Sequence, residues 1–327
     1  MANRKLAILY LCDSNYHELT LYSLASIARA HSAPLDLHMM QIGYSRLVPP
    51  RMQSFIAGLG HRLIAGPASF PDEITVLAQQ HRVRHGDGYH AYLSNTALYK
   101  SCAIEALAED YDNILYMDGD ILNFENLHLD KLAGFSELCA AVFDLSFAVD
   151  FDNSATRDRC RSHNVSPEYF NSGVILVNAA KWRSSGALAH YMENLVRHSV
   201  ECPYFIAPCD IPDQCALNMT AAGDWQRLPV TWNLQATALH TQAWATAMNR
   251  HYTGARKFLA WRPWTCDQRQ HELLHAISRE SGLPRARGIY DFGLSYRLNA
   301  MRRAKRVAQL EQAILALDRK TASIADG

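Results

Sequence analysis

The chain has 327 residues, with Lys plus Arg and Asp plus Glu balanced at 32 each and 49% hydrophobic residues. This length holds one large domain with additions or two small ones. The apolar share excludes a disordered chain, and the balanced charge gives no field directed at nucleic acid. No apolar run reaches the ~20 residues that a membrane-spanning helix needs.

"MANRKLAILYLCD" joins a basic start to a short apolar stretch. Asp13 follows at once without a small-residue cleavage site, so the stretch reads as a first strand in a cytoplasmic protein rather than a secretory signal. "YHELTLYSLASIARAHS" carries apolar residues at helical spacing, and "LDLHMMQIG" (Leu35–Gly43) reads as a second strand. The β-α-β order predicts an α/β fold with a parallel sheet. The Gly-, His- and Pro-rich stretch from Gly58 to Tyr92 has no clear assignment. "TALYKSCAIEALAEDY" (Thr96–Tyr111) is predicted helical and leads into a strand, "NILYM" (Asn113–Met117). "FSELCAAVFDL" and "YFNSGVILVN" hold two more strands. "NAAKWRSSGALAHYMENLVRHSV" and "DQCALNMTAAG" are helical, and "DWQRLPVTWNL" is aromatic and β-rich. A basic helical region closes the chain. The eight cysteines form no C-x-x-C pair, and Cys202, Cys209 and Cys215 are irregularly spaced. Buried reduced thiols are therefore expected rather than structural zinc.

An open parallel sheet binds ligands beyond the carboxyl ends of its strands, where Asp13 and Asp118 both fall. Yet neither G-x-G-x-x-G nor a Walker-type loop is present. A bound diphosphate would need another source of positive charge. "ILYMDGDIL" suggests one: residues i and i+2 of an extended segment face the same side, so Asp118 and Asp120 converge, with Gly119 leaving room. Such carboxylates repel unless one is protonated or a divalent cation joins them. Oxygen donors suit Mg2+ or Mn2+, and an added imidazole moves the choice toward Mn2+. Taken alone, the triplet reads equally well as a turn with solvated acids.

"ILYMDGDIL", "YFNSGVILVN", "DQCALN" and "HYTGARK" follow one another in a pattern that resembles glycosyltransferase family 8, which includes bacterial lipopolysaccharide galactosyl- and glucosyltransferases and is related to glycogenin. "LCDSNYHELTLYSLASI" resembles that family's nucleotide-binding start, and the resemblance runs from Ile8 to Trp264. It implies a GT-A fold, with a Rossmann-like, mixed, mostly parallel sheet flanked by helices, over residues 1–265. Residues 266–327 would form a helical, basic region. It also implies Mn2+-dependent, retaining transfer of glucose or galactose from a UDP-sugar to a hydroxyl of lipopolysaccharide or another surface glycan or glycolipid.

Carried onto this sequence, Asp118, Asp120 and His251 would hold the metal. Asp13, Asn15 and Tyr16 would meet the uracil and ribose, and Lys257 the diphosphate. Lys100, Asp144 and Asn171 would lie near the donor sugar, with Asp213 and Gln214 beside its anomeric carbon. Gly119, Ser172 and Gly254 belong to the same donor-binding motifs. Two departures stand out. The family's D-Q-D is here Asp213-Gln214-Cys215, and "FLAW" follows Lys257 where the family has Pro-Trp.

Without the resemblance, His251 is one of fifteen histidines, Lys100 a solvated charge and Tyr16 helix packing. Asp213 then reads as a helix cap. A haloacid-dehalogenase-type phosphatase also places D-x-D after an apolar strand, and a UDP-sugar-binding protein without turnover is the other alternative. The segment Leu294–Lys320 has Arg297, Arg302, Arg303, Lys305 and Arg306 beside apolar residues at helical spacing, which suits an anionic membrane surface on the inner face of the cytoplasmic membrane.

Overall fold

A computed structural model describes residues 5–71, 73, 74, 76, 95–129, 134–205, 209, 211–254, 257–260 and 262–325. The first apolar run forms β1 (Leu6–Cys12), and α1 (His17–Ala30) returns the chain to β2 (Asp36–Ile42), parallel to β1. After α2 (Pro50–Gly58) comes β3 (Arg62–Ala68), inside the stretch without a sequence assignment. Its interior Gly66 and Pro67 weaken the strand signal, and such residues are tolerated because β3 is the edge strand beside β2. Residues 72, 75 and 77–92 of that stretch lie outside the described residues.

The helix predicted from Thr96 begins as a 3-10 turn, Asn95–Tyr99, and becomes α3 (Lys100–Leu107). It feeds β4 (Asn113–Met117), parallel to β1 on the side away from β2. β5 (Ile121–Asn123) follows the acidic turn, and β6 (Cys139–Phe143) returns to the large sheet. α4 (Ser154–Ser162) precedes β7 (Phe170–Asn178), which runs antiparallel between β4 and β6.

The long helical stretch from Asn178 breaks at Gly186, whose φ of +67° is a left-handed conformation. The products are α5 (Ala179–Ser184) and α6 (Ala187–Val200). α7 (Pro212–Ala221) then leads to β8 (Trp225–Arg227), which completes a seven-stranded sheet of order β3-β2-β1-β4-β7-β6-β8. A small second sheet contains β5, β9 (Leu234–Gln235) and β10 (Asn249–His251), with β10 in the middle. α8 (Gln242–Thr246) lies between its last two strands.

The large sheet is covered on both faces, so its strands read as almost unbroken apolar runs. Along β1, Ile8, Tyr10 and Cys12 join one core cluster, and Ala7, Leu9 and Leu11 join the other. The first cluster packs against α1, and the second against α3, α6 and α7. The C-terminal helices are α9 (Gln268–Ser281), α10 (Leu294–Arg302) and α11 (Ala304–Ala325). Leu274 and Ile277 of α9 and Leu310 and Ile314 of α11 belong to the first cluster. Burying each such side chain contributes about 1.5–3 kcal/mol. Hence half of the apolar face expected to meet a membrane is turned inward. A third cluster joins Phe147, Cys160, Tyr169, Tyr204 and Met219 with Cys202, Cys209 and Cys215. Every cysteine is buried and outside any disulfide, and these last three lie together despite their irregular spacing.

Candidate active site

The strand ends converge on one cleft. β1 gives way to Asp13, whose Oδ1 accepts from the backbone N–H groups of Asn15 (2.9 Å) and Tyr16 (3.0 Å), so the turn before α1 is tied by its own carboxylate. β4 ends at Met117, directly before Asp118, β10 ends at His251, and α7 carries Asp213 in its first turn. A cavity of about 210 Å³ lies between them. Its walls include Asp13, Tyr16, Lys100, Asp118, Gly119, Asp120, Asn171, Ser172, Asp213, Gln214, His251, Gly254 and Lys257.

His251 Nε2 is 3.3 Å from Asp120 Oδ1 and 3.6 Å from Asp118 Oδ2. One ligand atom from each of the three residues lies within 4.8 Å of the other two. On the far side of the ring, His251 Nδ1 is 3.1 Å from Asn233 Oδ1. An amide oxygen accepts there, so Nδ1 carries the proton and Nε2 turns its lone pair to the carboxylates. Tyr116 donates to Asp118 Oδ1 at 2.7 Å, which steadies the second carboxylate. Gly173 clears the space: a Cβ there would stand 2.2 Å from His251 Cε1 and 2.9 Å from Asp118 Oδ2. Two carboxylates and a correctly turned imidazole form a donor set that fits a divalent cation.

Lys257 forms an ion pair with Asp120 and lies 5.5 Å from the centre of the Tyr16 ring. Burial alone would raise the Asp120 carboxyl, but the positive charge of Lys257 works against it, and the group is held well below the usual carboxylate range. Burial would equally lower the Lys257 ammonium, but Asp120 and Tyr16 prevail and keep it above its ordinary value.

Lys100 is 1% exposed, far from the solvated charge that its helix suggested. Its ammonium donates to the Ser172 carbonyl (2.9 Å), the Ser172 hydroxyl (3.0 Å) and Asp213 Oδ2 (3.3 Å). Gln214 Oε1 accepts from Ser172 N–H at 3.0 Å, and its amide donates to Asp144 Oδ2 at 3.0 Å. Two candidates are not on the cleft wall. Asn15 is exposed beside it. Asp144 stands behind it, taking hydrogen bonds from Asn171 (3.0 Å) and Gln214, so it supports wall residues rather than forming the wall.

Sequence reasoning missed Tyr116 and Asn233, which orient Asp118 and His251. Gly173, where a Cβ would collide with both, makes room for His251 and Asp118.

The profile of the Glycosyl transferase family 8 domain matches residues 7–265, close to the span the motifs covered. The chain belongs to glycosyl transferase family 8. Lipopolysaccharide 1,2-glucosyltransferase of Escherichia coli is 26% identical to this chain over 178 residues, 51% of this chain and 49% of that protein. The match therefore spans about half of the curated relative's length. The galactosyltransferase LgtC, crystallised with donor and acceptor sugar analogues, superposes with a TM-score of 0.57 at 19% identity, over 84% of this chain and 95% of LgtC. GlyE of Streptococcus pneumoniae TIGR4 gives 0.54 at 16% identity, over 85% of this chain and 61% of GlyE. These likenesses establish the fold: a mixed, mostly parallel sheet flanked by helices, the GT-A arrangement. Family membership sets the phosphatase alternative aside. Among the described residues, no helix is long and apolar enough to cross a membrane.

Proposed function

We propose that this family-8 chain transfers a hexose, glucose or galactose, from a UDP-sugar to a hydroxyl of a saccharide acceptor, with retention and with Mn2+ (Mg2+ as second choice) at Asp118, Asp120 and His251. The convergence of those three side chains on one point of the cleft carries the reading. When bound, the cation supplies Lewis-acid stabilisation of the departing diphosphate. Lys257 adds a second positive charge beside Asp120, where the diphosphate would lie, taking the place of a glycine-rich phosphate loop.

Asp13 and Tyr16 line the end of the cleft suited to the nucleoside, with the Tyr16 ring available for stacking on uracil. Lys100, Asn171, Ser172, Asp213 and Gln214 line the part suited to the hexose. Asp213 is paired with Lys100 and Ser172, so its carboxylate is already engaged. That favours a positioning role for Asp213 and attack by the acceptor on the face the leaving group vacates, with the departing phosphate taking the acceptor proton. Trapping of a glycosyl adduct on Asp213 by mass spectrometry would overturn this route.

The acceptor proposed is lipopolysaccharide or a related surface glycolipid, on the name of the Escherichia coli relative. A cytoplasmic protein touching the inner membrane face suits such an acceptor. Phe292 (89% exposed), Leu294 (62%) and Met301 (73%) protrude near Arg297, Arg302 and Arg303, an apolar and basic face of the kind that anionic lipid attracts. Deleting α10 and α11 is a poor test, since Leu310 and Ile314 are core residues. Instead, Phe292→Ser with Met301→Ser should reduce co-sedimentation with phosphatidylglycerol vesicles; unchanged binding removes the membrane from the proposal.

A panel of UDP-sugars with Mn2+, read as UDP released, tests the central reading without an acceptor. UDP-glucose or UDP-galactose should be hydrolysed, and Asp120→Ala should abolish the release. Binding of UDP with no turnover on any donor or acceptor would instead favour a silent sugar-nucleotide binder. Full activity of Asp120→Ala in excess chelator would refute the metal assignment.

A further inference from the structure

Behind the α7 end of the cleft, the third core cluster gathers four metal-ligating side chains that the donor site does not use. His198 lies in the last turn of α6, and Cys202 follows four residues later, just beyond the helix end, where the chain has become extended at Glu201. Cys209 comes from the connection to α7, and Cys215 from the first turns of α7 itself. One ligand atom from each lies within 4.8 Å of the other three, and all four residues are buried. The Cys215 sulfur is 3.8 Å from that of Cys202 and 3.5 Å from that of Cys209.

These separations discriminate between chemistries. A disulfide needs sulfurs about 2.05 Å apart. Tetrahedral zinc with Zn–S bonds of about 2.3 Å sets its sulfurs about 3.8 Å apart. Three thiols and one imidazole also form a ligand set that structural zinc uses. The surroundings fit. The Tyr169 hydroxyl lies 3.1 Å from the Cys215 sulfur, positioned to donate to a thiolate. Arg159 donates from Nε to the Cys202 carbonyl at 2.8 Å and brings a positive charge next to a centre whose net charge would be −1. Phe147, Tyr169, Tyr204 and Phe205 pack edge and face around the group and keep water out.

We infer that His198, Cys202, Cys209 and Cys215 form a structural zinc site of the Cys3His type that fastens α7 to the end of α6. Zinc binding replaces three S–H bonds by Zn–S bonds and releases three protons to solvent, with no change of oxidation state. The site has no open position for substrate, and its task is mechanical. Cys215 directly follows Asp213 and Gln214, so fixing its sulfur fixes the turn of helix that presents those two side chains to the cleft. The Cys215 departure from D-Q-D then has a physical reason: in this chain the third position of the motif faces the zinc cluster, not the sugar.

The test is metal content of the whole, untagged protein, which needs neither donor nor acceptor, so its failure would leave the proposed transfer standing. Elemental analysis should find one zinc per chain after dialysis in plain buffer. Asp118→Ala combined with Asp120→Ala should keep that zinc, and Cys209→Ser should lose it. Because Cys209→Ser risks misfolding, X-ray absorption on the wild-type protein supplies a second measurement: three sulfurs at about 2.3 Å and one nitrogen at about 2.0 Å are expected. Wild-type protein without stoichiometric zinc overturns the inference. So does zinc that follows Asp118 and Asp120 rather than Cys209, and so does a Cys202–Cys215 or Cys209–Cys215 disulfide in peptide mass spectra of freshly purified protein.

Discussion

His251 Nδ1 faces Asn233, and Asn233 in turn donates to Asn171 Oδ1 at 2.8 Å, so the ring that would hold the cation is braced by two amides in series. Removing such a brace costs metal affinity rather than fold. Asn233→Ala should weaken Mn2+ binding about 10–100-fold in a titration, with UDP binding in the absence of metal little changed. Gly173→Ala should act more directly, because the new methyl would occupy the place of the imidazole edge and meet an Asp118 oxygen. Its Mn2+ affinity should fall at least about tenfold while circular dichroism stays native. Wild-type metal binding by Gly173→Ala would mean that the ring is not held against Gly173. The motif residues around these two were legible because D-x-D, "FNSG" and "HYTG" are short and local. Asn233 was not, for it lies 18 residues before His251 and meets it only through the pairing of β9 with β10.

β7 illustrates how an element serves the site. It pairs with β4 as far as Met117–Val174, and the register with β6 shifts between Ala141 and Val142, so Ser172 and Gly173 bulge toward the acidic turn. Asp118 N–H then donates to the Gly173 carbonyl at 2.8 Å. Periodicity finds such a strand but not its bulge. The last helix depends on a second kind of contact. Lys320 of α11 and Arg227 of β8 both pair with Glu168, while Arg306 pairs with Asp150 at 2.8 Å. Burial works to raise the Glu168 carboxyl, but Lys320 and Arg227 outweigh it and hold it below its ordinary value. A carboxylate depressed in the folded state adds stability that is fully present above its unfolded pKa of about 4.3 and is lost as pH falls through the lower folded value. Glu168→Gln should therefore lower Tm by about 1–2 °C at neutral pH, the effect of about 1 kcal/mol in a chain of this size. The gap between the two proteins should close in strong acid. A gap that persists or widens there would show that Glu168 acts through packing rather than charge.

Across the molecule, the cleft joins residues from β1, α3, β4, β7, α7 and β10, so a ligand that bridges them ties both sheets together. UDP with Mn2+ at about 100 times its Kd should add about 2.7 kcal/mol, or about 4 °C in Tm. UDP alone should give a smaller shift, and Asp120→Ala should remove the advantage of adding Mn2+. Equal shifts with and without the ion would separate the acidic pair from diphosphate binding. The C-terminal helices matter at this scale too. Composition and helical spacing describe a basic amphipathic tail, and half of that description holds, since Leu310 and Ile314 are spent on the core while Phe292 and Met301 stay outside.

Local signals were enough for the fold class and for the acidic turn. Apolar runs, helical spacing and a D-x-D after a strand are written in consecutive residues, and five motifs in order give the family. Contacts that close over long stretches of chain were set only by folding. They include the burial of Lys100 beside Asp213, the amide brace behind His251, the docking of α11, and the gathering of His198 with three irregularly spaced cysteines. Residue spacing carries information about a neighbour one turn away or two strand positions away. It carries none about a partner delivered by another strand or helix, and there the packing of the two sheets and their helices decides.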